Sequence, residues 1–288
     1  MKEILKKVRK YEIEIRKFLN NSYQGDYKSI FKGTGLDFND LRPYQYGDDY
    51  RSINWNITAK EDRLYINTYK EEKEQSVFFL LDVSESQNIG KKNLKISTTK
   101  EIASVLALSA INKKSQVGLI CFSETKELFI DSKKGNPHGY KLINELYKLK
   151  PKSLKTNIKK MVEYFMNTIK KKSLVIVISD FIDTNFTNTL TSLSKSHDVI
   201  CIQIIDKNES EIPKLGIIEV EDKESGYRKW VNTSSKLFQT LIDETYNKKP
   251  AHLKKTLQKI GITYLKIDSE KNYVKDLIKL FKYRKRQK

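Results

Sequence analysis

A chain of 288 residues with 38 % hydrophobic and 10 % aromatic side chains can bury the core of one large domain or two modest ones. Its mean hydropathy of −0.60 and the lack of any long apolar run exclude a membrane-spanning helix, and residues 1–7 hold no apolar signal core, so secretion is not expected. The formal net charge of +19 does not by itself signal nucleic acid: 47 of the 55 basic residues are lysines, spread along the chain without a helix-turn-helix, zinc-finger or aromatic-studded RNA-binding motif.

Ile4, Leu5, Val8, Tyr11, Ile15, Phe18 and Leu19 fall at helical spacing and predict a helix over residues 2–19 with one apolar face. Residues 20–75 are rich in Gly, Asp, Asn and Tyr, contain Pro43, and read as short strands joined by turns. Gly33-x-Gly35 is too short for a phosphate loop, and the chain has no Walker motif. In a chain that mostly chooses lysine, Arg42, Arg51 and Arg63 stand close together. A planar fork suits bidentate pairing, with Asp48, Asp49 or Glu71 as partners, in a structural cluster rather than a ligand site.

From residue 76 the pattern is regular. Continuous apolar runs at 77–83, 174–179 and 199–205 predict strands covered on both faces. Residues 117–122 and 126–130 flank Ser123-Glu124-Thr125 as a hairpin. Helices are predicted over 96–111, around Leu142 to Leu149, and over 158–169, where Ile158, Met161, Val162, Phe165, Met166 and Ile169 mark one face. Residues 216–221 and 227–232 read as an inserted hairpin turning at 222–226. Helices follow at 237–242 and, after Pro250, at 253–260, then a strand at 262–267 and a last helix through Val274, Leu277, Ile278 and Phe281 into a basic tail. Alternating strands and helices predict an α/β domain over 76–288: a mostly parallel sheet with helices on both faces and a hairpin insertion at about 207–233. Residues 1–75 form an N-terminal helix and β-rich segment. Cys121 and Cys201 lie within strands and read as buried thiols in a reducing, cytoplasmic setting.

Asp82-Val83-Ser84-Glu85-Ser86 closes the first continuous strand. Asp-x-Ser-x-Ser offers a carboxylate and two hydroxyls on alternate positions, hard oxygens of the kind Mg²⁺ and Mn²⁺ prefer. Ligands of open α/β sheets sit beyond the C-terminal strand ends. Asp180 closes the strand at 174–179, and Thr156 precedes the clearest helix, so neighbouring strands would gather Asp82, Ser84, Ser86, Thr156 and Asp180 around one point. Asp183 is the alternative third-loop carboxylate. Each of these residues is also an ordinary turn or cap former.

The constellation resembles the metal-ion-dependent adhesion site of von Willebrand factor type A domains, over about residues 76–206 and less securely 234–283. The resemblance implies Ser84, Ser86 and Thr156 on the ion, Asp82 and Asp180 behind water, and one open position for an Asp or Glu of a partner. Asn157 and Gln87 depart from the pattern, which frequently has aspartate and methionine there. Arg42-Pro43-Tyr44, residues 47–55 and Ala59-Lys60 look like the signature of domain-of-unknown-function family 58, as do Ile205-Asp206, Glu209, Ile212-Pro213 and residues 221–226. That resemblance implies a partnership with a MoxR-type AAA+ ATPase in assembling or activating other proteins.

Three functions compete. The resemblance favours a non-enzymatic, metal-dependent protein-binding module. A metal-dependent phosphohydrolase would want Asp-x-Asp, but Ser84 stands at the second acid, and His138, His197 and His252 are scattered. A membrane surface or nucleic acid could attract the basic tail, although a sheet-covering helix accounts for the same residues.

Overall fold

The computed structural model describes residues 2–21, 36–61, 63–71, 76–90, 94–183, 185–221 and 226–287. Gly33, Gly35, the 222–225 part of the inserted turn, and the side chains of Phe18, Leu19, Glu71 and residues 285–288 lie outside that description.

Helix α1 (Lys2–Asn21) buries Val8 and Ile15 completely. Strands β1 (Leu36–Pro43) and β2 (Tyr65–Glu71) pair antiparallel, with a 3₁₀ turn at Tyr50–Ser52 and the short α2 (Trp55–Thr58) between them. Arg42 closes its fork on Asp48, Nη1 to Oδ2 at 2.8 Å and Nη2 to Oδ1 at 2.7 Å, which is the bidentate pairing its choice over lysine predicts. Asp49 instead accepts from the Arg51 amide at 3.0 Å, and the Arg51 guanidinium lies 5.7 Å over the Tyr50 ring.

The main sheet holds β3 (Ser76–Asp82), β4 (Gln116–Phe122), β5 (Lys126–Lys133), β6 (Ser173–Ser179), β7 (Asp198–Ile205) and β10 (Thr263–Asp268), in the order β10-β7-β6-β3-β4-β5. Every pairing is parallel except β4 with β5, which form the predicted hairpin. Central β3 is buried along its whole length, as a continuous apolar run requires when both faces are covered. Val77, Phe79 and Leu81 point to one core with α1, α3 (Lys95–Asn112), α4 (Asn136–Lys148) and α10 (Val274–Gln287); Phe78 and Leu80 point to the other, with α5 (Ile158–Thr168), α6 (Thr187–Ser196) and α9 (Lys249–Lys259). The architecture is therefore α/β, Rossmann-like, with helices on both faces.

Between β7 and β10 the chain leaves the sheet through the one-turn α7 (Lys207–Ser210). It makes the inserted hairpin β8 (Ile217–Glu221) and β9 (Arg228–Asn232), then α8 (Lys236–Asp243), and reaches α9 through a π-helical stretch, Glu244–Lys248. The apolar residues of α10 face inward: Val274, Leu277 and Phe281 are buried in the first core, and Arg284 is buried with its guanidinium on Asp198 and Thr263. That face is occupied by the sheet. Among the described residues no helix is long and apolar enough to cross a membrane.

Candidate functional site

Parallel register puts the ends of β3 and β6 side by side, Leu81 opposite Ile178, so that Asp82 and the Ser179-Asp180 turn emerge together at the sheet's C-terminal edge. Three loops meet there through hydrogen bonds from backbone amides. The Glu85 amide donates to the Leu154 carbonyl at 3.0 Å, tying the Asp82 loop to the segment before α5. The Asn157 amide donates to the Ser123 carbonyl at 3.1 Å, and the Ile158 amide to Asp183 Oδ2 at 2.8 Å. Asp183 thus caps α5 and joins the second loop to the third. Asn157 supplies the N-cap through Oδ1 to the Lys160 amide at 2.8 Å, so that task does not fall on the half-buried Thr156.

Asp82 is fully buried and fully hydrogen-bonded. Oδ1 accepts from the Ser84 amide at 3.0 Å and from Ser84 Oγ at 2.6 Å; Oδ2 accepts from Ser179 Oγ at 2.7 Å. A hydroxyl has one proton. Ser84 uses its one proton in the hydrogen bond it donates to Asp82, so in the 3.1 Å contact between Ser84 Oγ and Ser86 Oγ the donor is Ser86. Both serine oxygens therefore keep acceptor capacity while the carboxylate stands behind them.

Asp180 follows β6 as predicted and is buried. Its Oδ1 accepts from the Ile182 amide at 3.3 Å and its backbone carbonyl accepts from Gln203 Nε2 at 2.6 Å. The next residue, Phe181, holds a left-handed φ of +54°, a conformation rare for a bulky side chain and a mark of a constrained turn.

Oδ2 of Asp180 has a partner that the linear chain did not reveal. Lys95, at the start of α3, is fully buried, and its Nζ lies 2.9 Å from Asp180 Oδ2 and 2.8 Å from Glu209 Oε1. No local pattern separates this lysine from the other 46; Glu209 stood out only as part of the family-like stretch after β7. Burial alone would lower the Lys95 pKa, but the two carboxylates override it and hold the ammonium charged. Burial raises the Glu209 carboxyl above its ordinary range, with Lys95 pulling the other way. Burial also pushes Asp82 up to about 7, reinforced by the neighbouring charge of Asp180 and opposed by the hydrogen bonds from Ser84 and Ser179.

Asp180 and Glu209 share the buried Lys95 ammonium, and Asp82 lies close enough to Asp180 to feel its charge. Three negative charges and one positive leave −2 when all are ionised, which matches a divalent cation beside the two serine hydroxyls. Among the described residues there is no group of three or more His, Cys, Asp or Glu able to hold a metal, so hydroxyls would have to supply part of any ligand set here. Hard oxygens with a net charge of −2 fit Mg²⁺ or Mn²⁺.

Gln87 stands where the resembled pattern frequently has methionine. It is fully buried in the same loop, and neither Oε1 nor Nε2 has a hydrogen-bond partner. Two orphaned amide atoms in a closed site are costly. Gln87→Met removes both at similar volume and is expected to stabilise the protein by about 1–3 kcal/mol. The check is a higher urea midpoint at unchanged slope.

A family model described as protein of unknown function DUF58 matches residues 40–252. Uncharacterized proteins of Mycobacterium tuberculosis and Mycobacterium bovis are each 20 % identical over 292 residues, covering 97 % of this chain and 89 % of theirs. Among solved structures, BatB of Bacteroides thetaiotaomicron superposes with a TM-score of 0.48 at 12 % identity, over 74 % of this chain and 99 % of that one. An aerotolerance-related membrane protein of Bacteroides fragilis gives 0.48 at 14 % identity, over 74 % and 100 %. The SpRpn10 VWA domain gives 0.40 at 10 % identity, over 72 % and 94 %.

Proposed function

The chain belongs to the DUF58 family, whose description names no activity, and we propose that it is a non-enzymatic protein-binding module that grips its partner through a divalent cation at the Asp82 loop. One observation carries this reading: three loops converge where Ser84 and Ser86 present paired hydroxyls in front of a buried, fully hydrogen-bonded Asp82. Ser84 and Ser86, with Thr156 from the adjoining loop, would hold Mg²⁺, and Asp82 and Asp180 would balance its charge. When bound, the ion supplies an open coordination position suited to a carboxylate. The partner offers an Asp or Glu, and a MoxR-type AAA+ ATPase is the first partner to test, on the resemblance of residues 42–60. A cytoplasmic setting belongs to the same proposal.

Binding is favoured over catalysis because two of the three histidines, His138 and His197, are engaged elsewhere. His138 Nε2 meets the Val117 carbonyl at 2.8 Å, and the buried His197 receives the Ser173 amide on Nδ1 while packing on Phe165. Neither is placed to move a proton at Asp82. The expected result is that the partner is retained on the immobilised protein in Mg²⁺ and released by EDTA. Ser84→Ala should weaken capture at least tenfold while the protein stays folded in EDTA, at a cost of about 1–3 kcal/mol for the lost hydrogen bond to Asp82. Equal capture in EDTA and Mg²⁺ would refute the proposal, as would hydrolysis of a phosphate ester that disappears in Asp82→Asn.

A further inference from the structure

Lys95 touches more than one part of the site. Its backbone amide donates to the Ile89 carbonyl at 3.0 Å, anchoring it to the end of the Asp82 loop. Its side chain reaches Asp180 in the third loop and Glu209 in α7. Glu209 is itself committed twice: Oε1 to Lys95, and Oε2 to the Asp206 amide at 3.3 Å, where it completes a capping box with Asp206. Asp206 caps the turn through Oδ1 to the Asn208 amide at 2.8 Å, and its Oδ2 accepts from Ser269 Oγ at 2.9 Å. The turn by which the chain leaves the sheet for the β8–β9 insertion therefore depends on one ammonium shared with the cation site.

We propose that Lys95 is a positioning residue that couples occupation of the Asp82 site to the order of the β8–β9 insertion, through its shared contacts with Asp180 and Glu209. This rests on the cation-site reading above. The physical basis is like-charge repulsion in a buried setting, where screening by water is weak. A dication beside Asp82 and Asp180 competes with the ammonium for Asp180 and repels it toward Glu209, the carboxylate it already holds at 2.8 Å. Glu209 then takes a larger share of Lys95, and α7 is pinned more firmly. The insertion it leads into carries exposed Ile217 and Trp230 on one face of the hairpin, so its order bears on what that face can meet.

Two measurements on the full chain separate this inference from the reading beneath it. Calorimetry with MgCl₂ reports binding at the site. Hydrogen–deuterium exchange with and without saturating Mg²⁺ reports α7 and the hairpin. In the wild type, Mg²⁺ is expected to slow amide exchange over residues 207–211 at least threefold, with a smaller slowing through 217–221. In Glu209→Gln, which keeps the shape and one of the two acceptor contacts but drops the charge, Mg²⁺ still binds with lower affinity, and at saturation exchange over 207–211 is unchanged. Mg²⁺ binding without altered exchange in the wild type overturns the coupling and leaves the site intact; a response that persists in Glu209→Gln also overturns it. Absence of Mg²⁺ binding by calorimetry overturns the site and the coupling together. Lys95→Met should likewise lose the exchange response wherever it folds, and a retained response in it counts against the proposal.

Discussion

Lys95→Met is expected to destabilise the protein by about 3–5 kcal/mol, because removing one partner of a buried ion group leaves the others uncompensated. Here two carboxylates, Asp180 and Glu209, are stranded at once in a site that excludes water. At roughly 2–4 °C per kcal/mol for domains approaching this size, the thermal midpoint falls by about 10 °C. The pH dependence gives the deficit its signature. Without the ammonium, nothing offsets the burial that raises the Glu209 carboxyl, so it binds a proton in the folded state at pH values where the unfolded chain, titrating near 4, does not. The variant is therefore weakest relative to wild type above pH 7, and the gap narrows as the pH falls toward about 4–5 and the acids become neutral. Adding Glu209→Gln to Lys95→Met should recover part of the loss at pH 8 and little at pH 4.5. Thermal melts in EDTA across that range provide the test; a pH-independent deficit would mean that packing, not charge, dominates.

Magnesium is expected to stabilise the wild type and not Asp82→Asn. A ligand at a hundred times its Kd adds about 2.7 kcal/mol to a folded state that alone binds it, a rise of several degrees in Tm. The sign of the pH effect follows from Asp82. Its folded pKa is raised to about 7 from 3.8, so between these values the folded state holds a proton that the unfolded chain has released. The metal-free protein therefore loses this part of its stability as pH rises from about 4 to about 7 and levels off above that. A proton on Asp82 also opposes the cation, so the Mg²⁺-induced rise should be small at pH 5.5 and full at pH 8. Asp82→Asn should flatten both trends. Differential scanning fluorimetry with MgCl₂ raised from zero to well above its Kd would show it, with NaCl matching ionic strength.

The sheet was legible because its strands are unusually uniform. Val77-Phe78-Phe79-Leu80-Leu81 and Leu174-Val175-Ile176-Val177-Ile178 are short, rich in β-branched and aromatic residues and continuously apolar, the pattern of strands buried on both faces, and parallel neighbours follow from the helices between them. Helix α6 escaped notice. Thr187–Ser196 is built largely of Thr, Ser and Asn, poor helix formers that favour turns, and only Leu190 and Leu193 mark its inner face. Tertiary packing, not propensity, makes it a helix. At the site, Asp82, Ser84, Ser86 and Asp180 declared themselves by position at strand ends. Lys95, Glu209 and Ser179 did not: contacts spanning 85, 114 and 97 positions leave no local trace. The sequence pattern places separate helices before and after Pro250, yet the chain passes from α8 to α9 through a π-helical stretch, since proline in the first turn of α9 has no amide to satisfy there.

The open sheet ends on one side at β5 and on the other at β10. Unpaired strand edges invite other chains to add strands, and charged side chains are a common deterrent. β5 begins and ends in lysine and carries Glu127 and Asp131 between, while β10 turns Lys266 to solvent. The abundance of lysine that says little about ligands thus guards both rims against self-assembly into aggregates.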